Sequence, residues 1–288
     1  MRNFFNTDPI QMREKRIGSM LLILSITILV FSYNWITEAI TQAYIRPKTE
    51  WVDMEIWVEE GTISVNRMKI MAQQTGLNVS AIRKMLKQGQ GQKLLELQEI
   101  YFAPVQVESR NSTPLTISEV RVDEEGRVCA GMPLIDLQEG DILLTKNSRF
   151  FGWRNGHAGL VIDSKQGLVL EALMPGTKTC LNSVSNWSDY PSFLVLRVKE
   201  KYRGENGEVS KKAAAYAKEH LLQVPYSLFA FTCEEESGMA LEGTQCAHVV
   251  WFAYKQFGLD LDSDGGWIIT PNDIQNSEFL EVIQSCGY

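Results

Sequence analysis

The stretch FFGWRNGHAGLVID, residues 150–163, carries one of the chain's three histidines into an apolar run. If the run is a strand, His157, Gly159, Val161 and Asp163 share one face, and Ala158, Leu160 and Ile162 share the other. Gly159 has no side chain, so the space beside the imidazole is left for a group reaching across from a neighbouring strand. The next apolar run, GLVLEAL at residues 167–173, supplies Glu171. A carboxylate among apolar residues needs a partner, because burying an unpaired charge is costly. The intervening turn, DSKQG, does not set the hairpin register uniquely, so the sequence leaves open whether Glu171 lies on the face of His157.

A second stretch, GTQCAHVVWFAYKQFGLDL at residues 243–261, raises the matching question about a thiol. Its periodicity predicts a helix ending at Gly258, with Thr244 as N-cap and Cys246 in the first turn. There the macrodipole and unpaired backbone N–H groups favour a thiolate and can hold a developing oxyanion. Val249, Val250, Ala253 and Phe257 then form the inward face. A buried cysteine also serves simply as a small hydrophobe. His248 is two residues from Cys246, about 200° around a helix, and so points away from it. His220 lies in the charged helical pattern AKEHLL. That leaves His157 as the candidate base for Cys246. If the register puts Glu171 on its face, the three make a nucleophile, base and orienter. The alternatives are a satisfied core or turn histidine and a solvent-facing strand-edge acid.

Around these stretches, LQEGDILLTK (137–146) and YPSFLVLRVK (190–199) read as strands, and SKKAAAYAKEHLL (210–222) as a helix ending before Pro225. Strands beside helices predict an α+β layer. Composition excludes other classes. The chain of 288 residues is 44% hydrophobic with net charge −7, which argues for a folded protein and against a nucleic-acid partner. The five cysteines, Cys129, Cys180, Cys233, Cys246 and Cys286, are too scattered for a zinc ribbon or a disulfide framework. LDLDSDGG (259–266) lacks the calcium-loop spacing and reads as a turn. The sequons at Asn78, Asn111 and Asn186 are short patterns of little weight.

IGSMLLILSITILVFSYNWI, Ile17–Ile36, is free of charge. At about 1.5 Å per residue it spans a hydrocarbon layer of about 30 Å, and it is longer than the apolar core of a signal peptide. Arg2, Arg13, Lys15 and Arg16 precede it, whereas acids dominate its C-terminal flank, so the positive-inside rule puts the N-terminus in the cytoplasm and the rest outside. The predicted organisation is a cytoplasmic segment (1–16), a membrane helix (17–36), a helical juxtamembrane spacer (37–118) and a catalytic domain (119–288). In the spacer, AQQTGLNVSAIRKMLKQGQGQKLLELQEIYF (72–102) has amphipathic helical stripes. Its echo of a helix-turn-helix reads better as a packing or spacer pair, given the missing basic excess.

The stretches LQEGDILLTK, GHAGLVID, LVLEA, AAAYAKEHLLQVPYSLFA, TQCAHVVWFAYKQFGLDLD and ITPNDIQNS, spread over about residues 134–278, resemble the NlpC-type cysteine peptidases. The histidine hairpin precedes the cysteine helix here, the reverse of the usual order, so the chain is similar to the circularly permuted papain-like amidases of the YiiX kind. The resemblance implies Cys246 as nucleophile, His157 as general base and then acid, and Glu171 as the third polar residue. It sets Tyr226, of VPYSLF, and Gln245 on the substrate and oxyanion side. The chain departs from the usual Asp-Cys-Ser-Gly around the nucleophile, having Gln245-Cys246-Ala247-His248, and Glu171 stands where His is frequent. The implied activity is amide hydrolysis without cofactor or metal, and the outward-facing site makes a cell-wall peptide the expected substrate. Three alternatives differ in class: a lipid acyltransferase or thioesterase on the same scaffold, a catalytically silent binding module, and a zinc site of Cys246, His248 and His157. Helix geometry, which sets His248 opposite Cys246, speaks against the last.

Overall fold

The structure, a computed structural model, describes residues 9–40, 42–60, 63–113, 116–150, 152–232 and 241–288. Arg2 and Cys233 lie outside the described residues, as do the side chains of Arg13 and Lys15. The chain divides into two units, Met1–Gln42 and Ala43–Tyr288.

The first unit contains α1 (Pro9–Ile40), whose apolar stretch Arg16–Tyr33 has its side chains exposed. Eighteen residues at about 1.5 Å each reach about 27 Å, enough by length and composition for a membrane anchor or a signal sequence. The charge-free run expected at 17–36 falls within this helix.

The second unit opens with four helices, α2 (Glu55–Glu60), α3 (Val65–Thr75), α4 (Val79–Lys87) and α5 (Gly91–Phe102). Then come β1 (Gln106–Thr113), β2 (Thr116–Val122), β3 (Ile142–Thr145), β4 (Ser148–Phe150), β5 (His157–Asp163), β6 (Leu168–Glu171), β7 (Cys180–Ser183) and β8 (Phe193–Val198). The chain finishes with α6 (Glu208–His220), α7 (Cys246–Lys255), α8 (Pro271–Gln275) and β9 (Leu280–Cys286). Among the described residues every strand pairing is antiparallel, giving a three-stranded sheet β1-β2-β4 and a six-stranded sheet β7-β6-β5-β3-β8-β9. The α+β class expected from the sequence is what forms.

The six-stranded sheet is buried on both faces. Ile142, Leu144, Ala158, Leu160, Leu170, Leu194 and Leu196 point toward α6 and α7, meeting Ala213, Ala217, Val249, Val250 and Ala253. Their alternates, Leu143, Val161, Val169, Phe193 and Val195, share a second cluster with Met68, Met71, Ile82, Met85, Leu94 and Leu97 of α3, α4 and α5. Helices 65–102, read from the sequence as a spacer, therefore cover one face of the sheet. The turn between α3 and α4 is stitched to β9: Asn78 N donates to Ile283 O at 2.8 Å and Ser285 N to Gly76 O at 2.8 Å. Gly76 has φ +69, and a Cβ there would lie 2.0 Å from Ser285 O, so the approach requires glycine. Asn78 caps α4, and the face of α4 carrying Ala81, Ile82 and Met85 is buried. That buried face serves packing.

Two expectations are corrected. Residues 106–118, assigned to the helical segment, belong instead to the hairpin β1–β2, which continues to Val122. Helix α7 is not amphipathic: Cys246–Tyr254 are all buried, and Phe257 lies beyond its end and is only half-buried. A helix apolar on all sides is one enclosed on all sides. The LDLDSDGG segment is a turn, Asp262 Oδ1 accepting from Asp264 N and Gly265 N. Cys129, Cys180, Cys246 and Cys286 are free thiols.

Candidate active site

The site assembles where β5 and α7 begin. Gly156 turns the chain into β5 at φ +69, and a Cβ there would lie 2.5 Å from Thr145 O, so only glycine delivers His157 to the first strand position. The open register question is answered by β5 pairing with β6: Gly159 faces Glu171. Residues opposite each other point to the same side, and His157 shares that side with Gly159, so Glu171 falls on the histidine face. Glu171 Oε1 lies 2.8 Å from His157 Nε2. Its other oxygen accepts from Asn182 Nδ2 at 2.8 Å. At 2% exposure, this carboxylate is held by two donors.

The gap above Gly159 is occupied. A Cβ there would come within 2.6 Å of Val169 Cγ1, 2.9 Å of Trp187 Cζ2 and 3.4 Å of Glu171 Cγ. The fully buried Trp187 lies nearly parallel to His157, with centroids 5.6 Å apart and planes at 20°. The imidazole is thus fixed at one nitrogen by Glu171 and across its face by an indole.

Cys246 is the first residue of α7 and is buried. The N-cap is Gln245, one residue later than expected: its Oε1 accepts from Ala247 N at 2.9 Å, and its Nε2 donates to Ile269 O. Thr244 is not free to cap, because it sits in a parallel bridge with Tyr226 and its Oγ1 bonds His248 Nδ1 at 2.9 Å. Gln245 Oε1 also lies 3.5 Å from Cys246 Sγ. Among the described residues, no hydrogen bond is accepted from the Cys246 backbone N–H.

Cys246 lies close enough to His157 for the thiol to act on the imidazole. Burial pulls the His157 pKa down. The interactions with Cys246, and then with Glu171, outweigh it and raise the pKa from 6.5 to about 10. The imidazolium is therefore favoured at neutral pH. Tyr226 stands beside the thiol, and its pKa is raised by burial and then by Cys246, so it keeps its phenolic proton. The remaining histidines lie elsewhere. His248 packs with Trp251 and Phe252, and exposed His220 lies against Tyr216.

The structure thus brings Cys246, His157, Glu171, Tyr226 and Gln245 to one place. Sequence reasoning missed Asn182 and Trp187. Asn182 carries a weak signal, a polar residue in the strand following the acid. Trp187 carries none, since its position depends on the 3₁₀ turn Val184–Asp189 folding back over the sheet.

Comparison with curated proteins and with solved structures gives no match. The model of a family described as lipoprotein N-acylation protein LnsA-like matches residues 117–283, more than half of the chain, from β2 into β9. That stretch includes Cys246, His157, Glu171, Tyr226, Gln245, Asn182 and Trp187. The chain belongs to the LnsA-like family of lipoprotein N-acylation proteins.

Proposed function

We propose that this protein is a cysteine acyltransferase that passes an acyl group through Cys246 to an amine nitrogen of a lipoprotein. The observation that carries the reading is the hydrogen-bonded series His157–Glu171–Asn182 beside Cys246, the first residue of a buried helix. The family's description supports acyl transfer over the cell-wall amide hydrolysis implied by the peptidase resemblance. A permuted papain-like arrangement is consistent with the histidine strand preceding the cysteine helix in an antiparallel sheet.

In the first half-reaction His157 holds the proton of Cys246, and the thiolate attacks the carbonyl of an acyl ester. The backbone N–H of Cys246 and the Tyr226 hydroxyl are the donors available to the oxyanion. The C–O bond breaks, His157 gives its proton to the departing alkoxide, and an alcohol leaves with the acyl group as a thioester on Cys246. In the second half-reaction an amine attacks the thioester, His157 takes the amine proton, and the C–S bond breaks to yield an amide and the thiolate. Glu171 keeps the imidazole in place throughout, and Asn182 and Trp187 position that pair. Gln245 shapes the cysteine turn. Helix α1 serves as a membrane tether, with the basic flank in the cytoplasm and the compact unit outside.

The test uses the full chain in lipid vesicles with acyl-ester lipids and a lipoprotein acceptor, and separately with purified muropeptides, products being identified by mass. The expected result is an acylated acceptor and a hydroxylamine-labile adduct on Cys246, both lost in Cys246→Ala. Acylation that persists in that variant, or cleavage of muropeptides without acyl transfer, would overturn the proposal.

A further inference from the structure

Two exposed apolar strips flank the cysteine. The first follows Tyr226: Leu228 is 38% exposed and Phe229 70%. The second precedes α8: Trp267 is 78% exposed and Ile268 41%. Both are tied to the turn that carries Cys246. Ser227 N donates to Thr244 O at 2.8 Å, and Gln245 Nε2 donates to Ile269 O. They are also tied to each other, Thr232 N donating to Trp267 O at 3.0 Å and Thr232 Oγ1 to Gly266 O at 2.9 Å. These hydrogen bonds hold the two strips beside the site, with four large apolar side chains exposed and their neighbours Ala230 and Ile269 buried. Exposed apolar groups gathered around polar chemistry mark a contact surface.

We infer that Leu228, Phe229, Trp267 and Ile268 insert into the interfacial region of a lipid bilayer and present Cys246 to acyl chains there. This rests on the acyl-transfer reading above. Two features select a bilayer as the occupant. Residues 227–232 and 266–272 contain no charged side chain, and tryptophan beside aliphatic residues is the composition favoured at the headgroup boundary. Trp267 and Phe229 together offer about 300 Å², from about 150–250 Å² per aromatic side chain, far below the about 800 Å² per partner of a stable dimer. Asp262 and Asp264 close to Trp267 in sequence make attraction to anionic lipid an unsuitable driving force. Contact should therefore be insensitive to salt.

The experiment reconstitutes the full chain in phosphatidylcholine vesicles with or without bromine in the acyl chains. The emission of Trp267 is the difference between the wild type and Trp267→Phe. Bromine should quench that difference at least twofold, equally at low and high salt. In parallel, Phe229→Asp/Trp267→Asp should raise KM for a vesicle-borne acyl ester at least tenfold while leaving turnover of a water-soluble short-chain acyl ester unchanged. Unquenched Trp267, equal losses on both substrates, or a dimer that the double variant dissociates would each overturn the inference. Quenched Trp267 in a protein that transfers acyl groups from neither substrate would uphold the surface and sink the acyl reading instead.

Discussion

Replacing Glu171 with glutamine tests the electrostatics of the site with little change of shape. Two donors, His157 Nε2 at 2.8 Å and Asn182 Nδ2 at 2.8 Å, converge on the carboxylate. An amide offers one acceptor oxygen, so one donor must meet an NH₂ group, and the imidazolium loses its anionic partner. A hydrogen bond to a charged group contributes about 1.5–3 kcal/mol, which corresponds to lowering the His157 titration midpoint by about 1–2 in pH. Histidine ¹⁵N shifts read this directly, since the chain holds only His157, His220 and His248, and His157→Gln assigns the signal. The wild-type midpoint should lie near 10, well above the ordinary 6.5. Because folding raises this pKa, the proton stabilises the fold fully below pH 6.5, and that contribution is lost as pH climbs through 10. The wild type should therefore lose thermal stability between those values, and Glu171→Gln should lose less and at lower pH. If the transition state feels the same loss, acyl-enzyme formation at pH 7 falls by about tenfold to a hundredfold. A wild-type His157 titrating near 6.5, or a midpoint that glutamine leaves in place, would refute the reasoning.

Gly159→Ala should lower both stability and rate. Its Cβ overlaps Val169 and Trp187, and overpacking of about 1–3 kcal/mol corresponds to a Tm fall of roughly 3–10 °C; a variant melting like the wild type would contradict it. Asp141→Ala should be destabilising with no direct effect on the site. It strips Arg197, buried and bonded to both Asp141 oxygens at 2.7 Å, of its main partner. Breaking such a pair costs about 3–5 kcal/mol, toward the lower end here because Asp136 O still accepts from Arg197; denaturant unfolding measures it.

Features that depend on near neighbours along the chain were legible in the sequence. An uncharged run of twenty residues specifies an apolar helix, alternation in GHAGLVID specifies a strand, and Gly156 specifies the turn into it. Helical geometry was enough to separate His248 from Cys246 and leave His157 as the candidate partner. The same local logic failed at the cap, because Thr244 and Gln245 are both capable and the choice fell to the bridge between Thr244 and Tyr226. The register that faces Gly159 with Glu171 is a tertiary matter, since a slip by one residue would send the carboxylate to the α7 side at no local cost. Long-range packing likewise brings Asn182 and Trp187 to the histidine and lays helices 65–102 on the sheet. These are contacts between distant segments, and their energy comes from burying surfaces whose pairing no short window of sequence encodes.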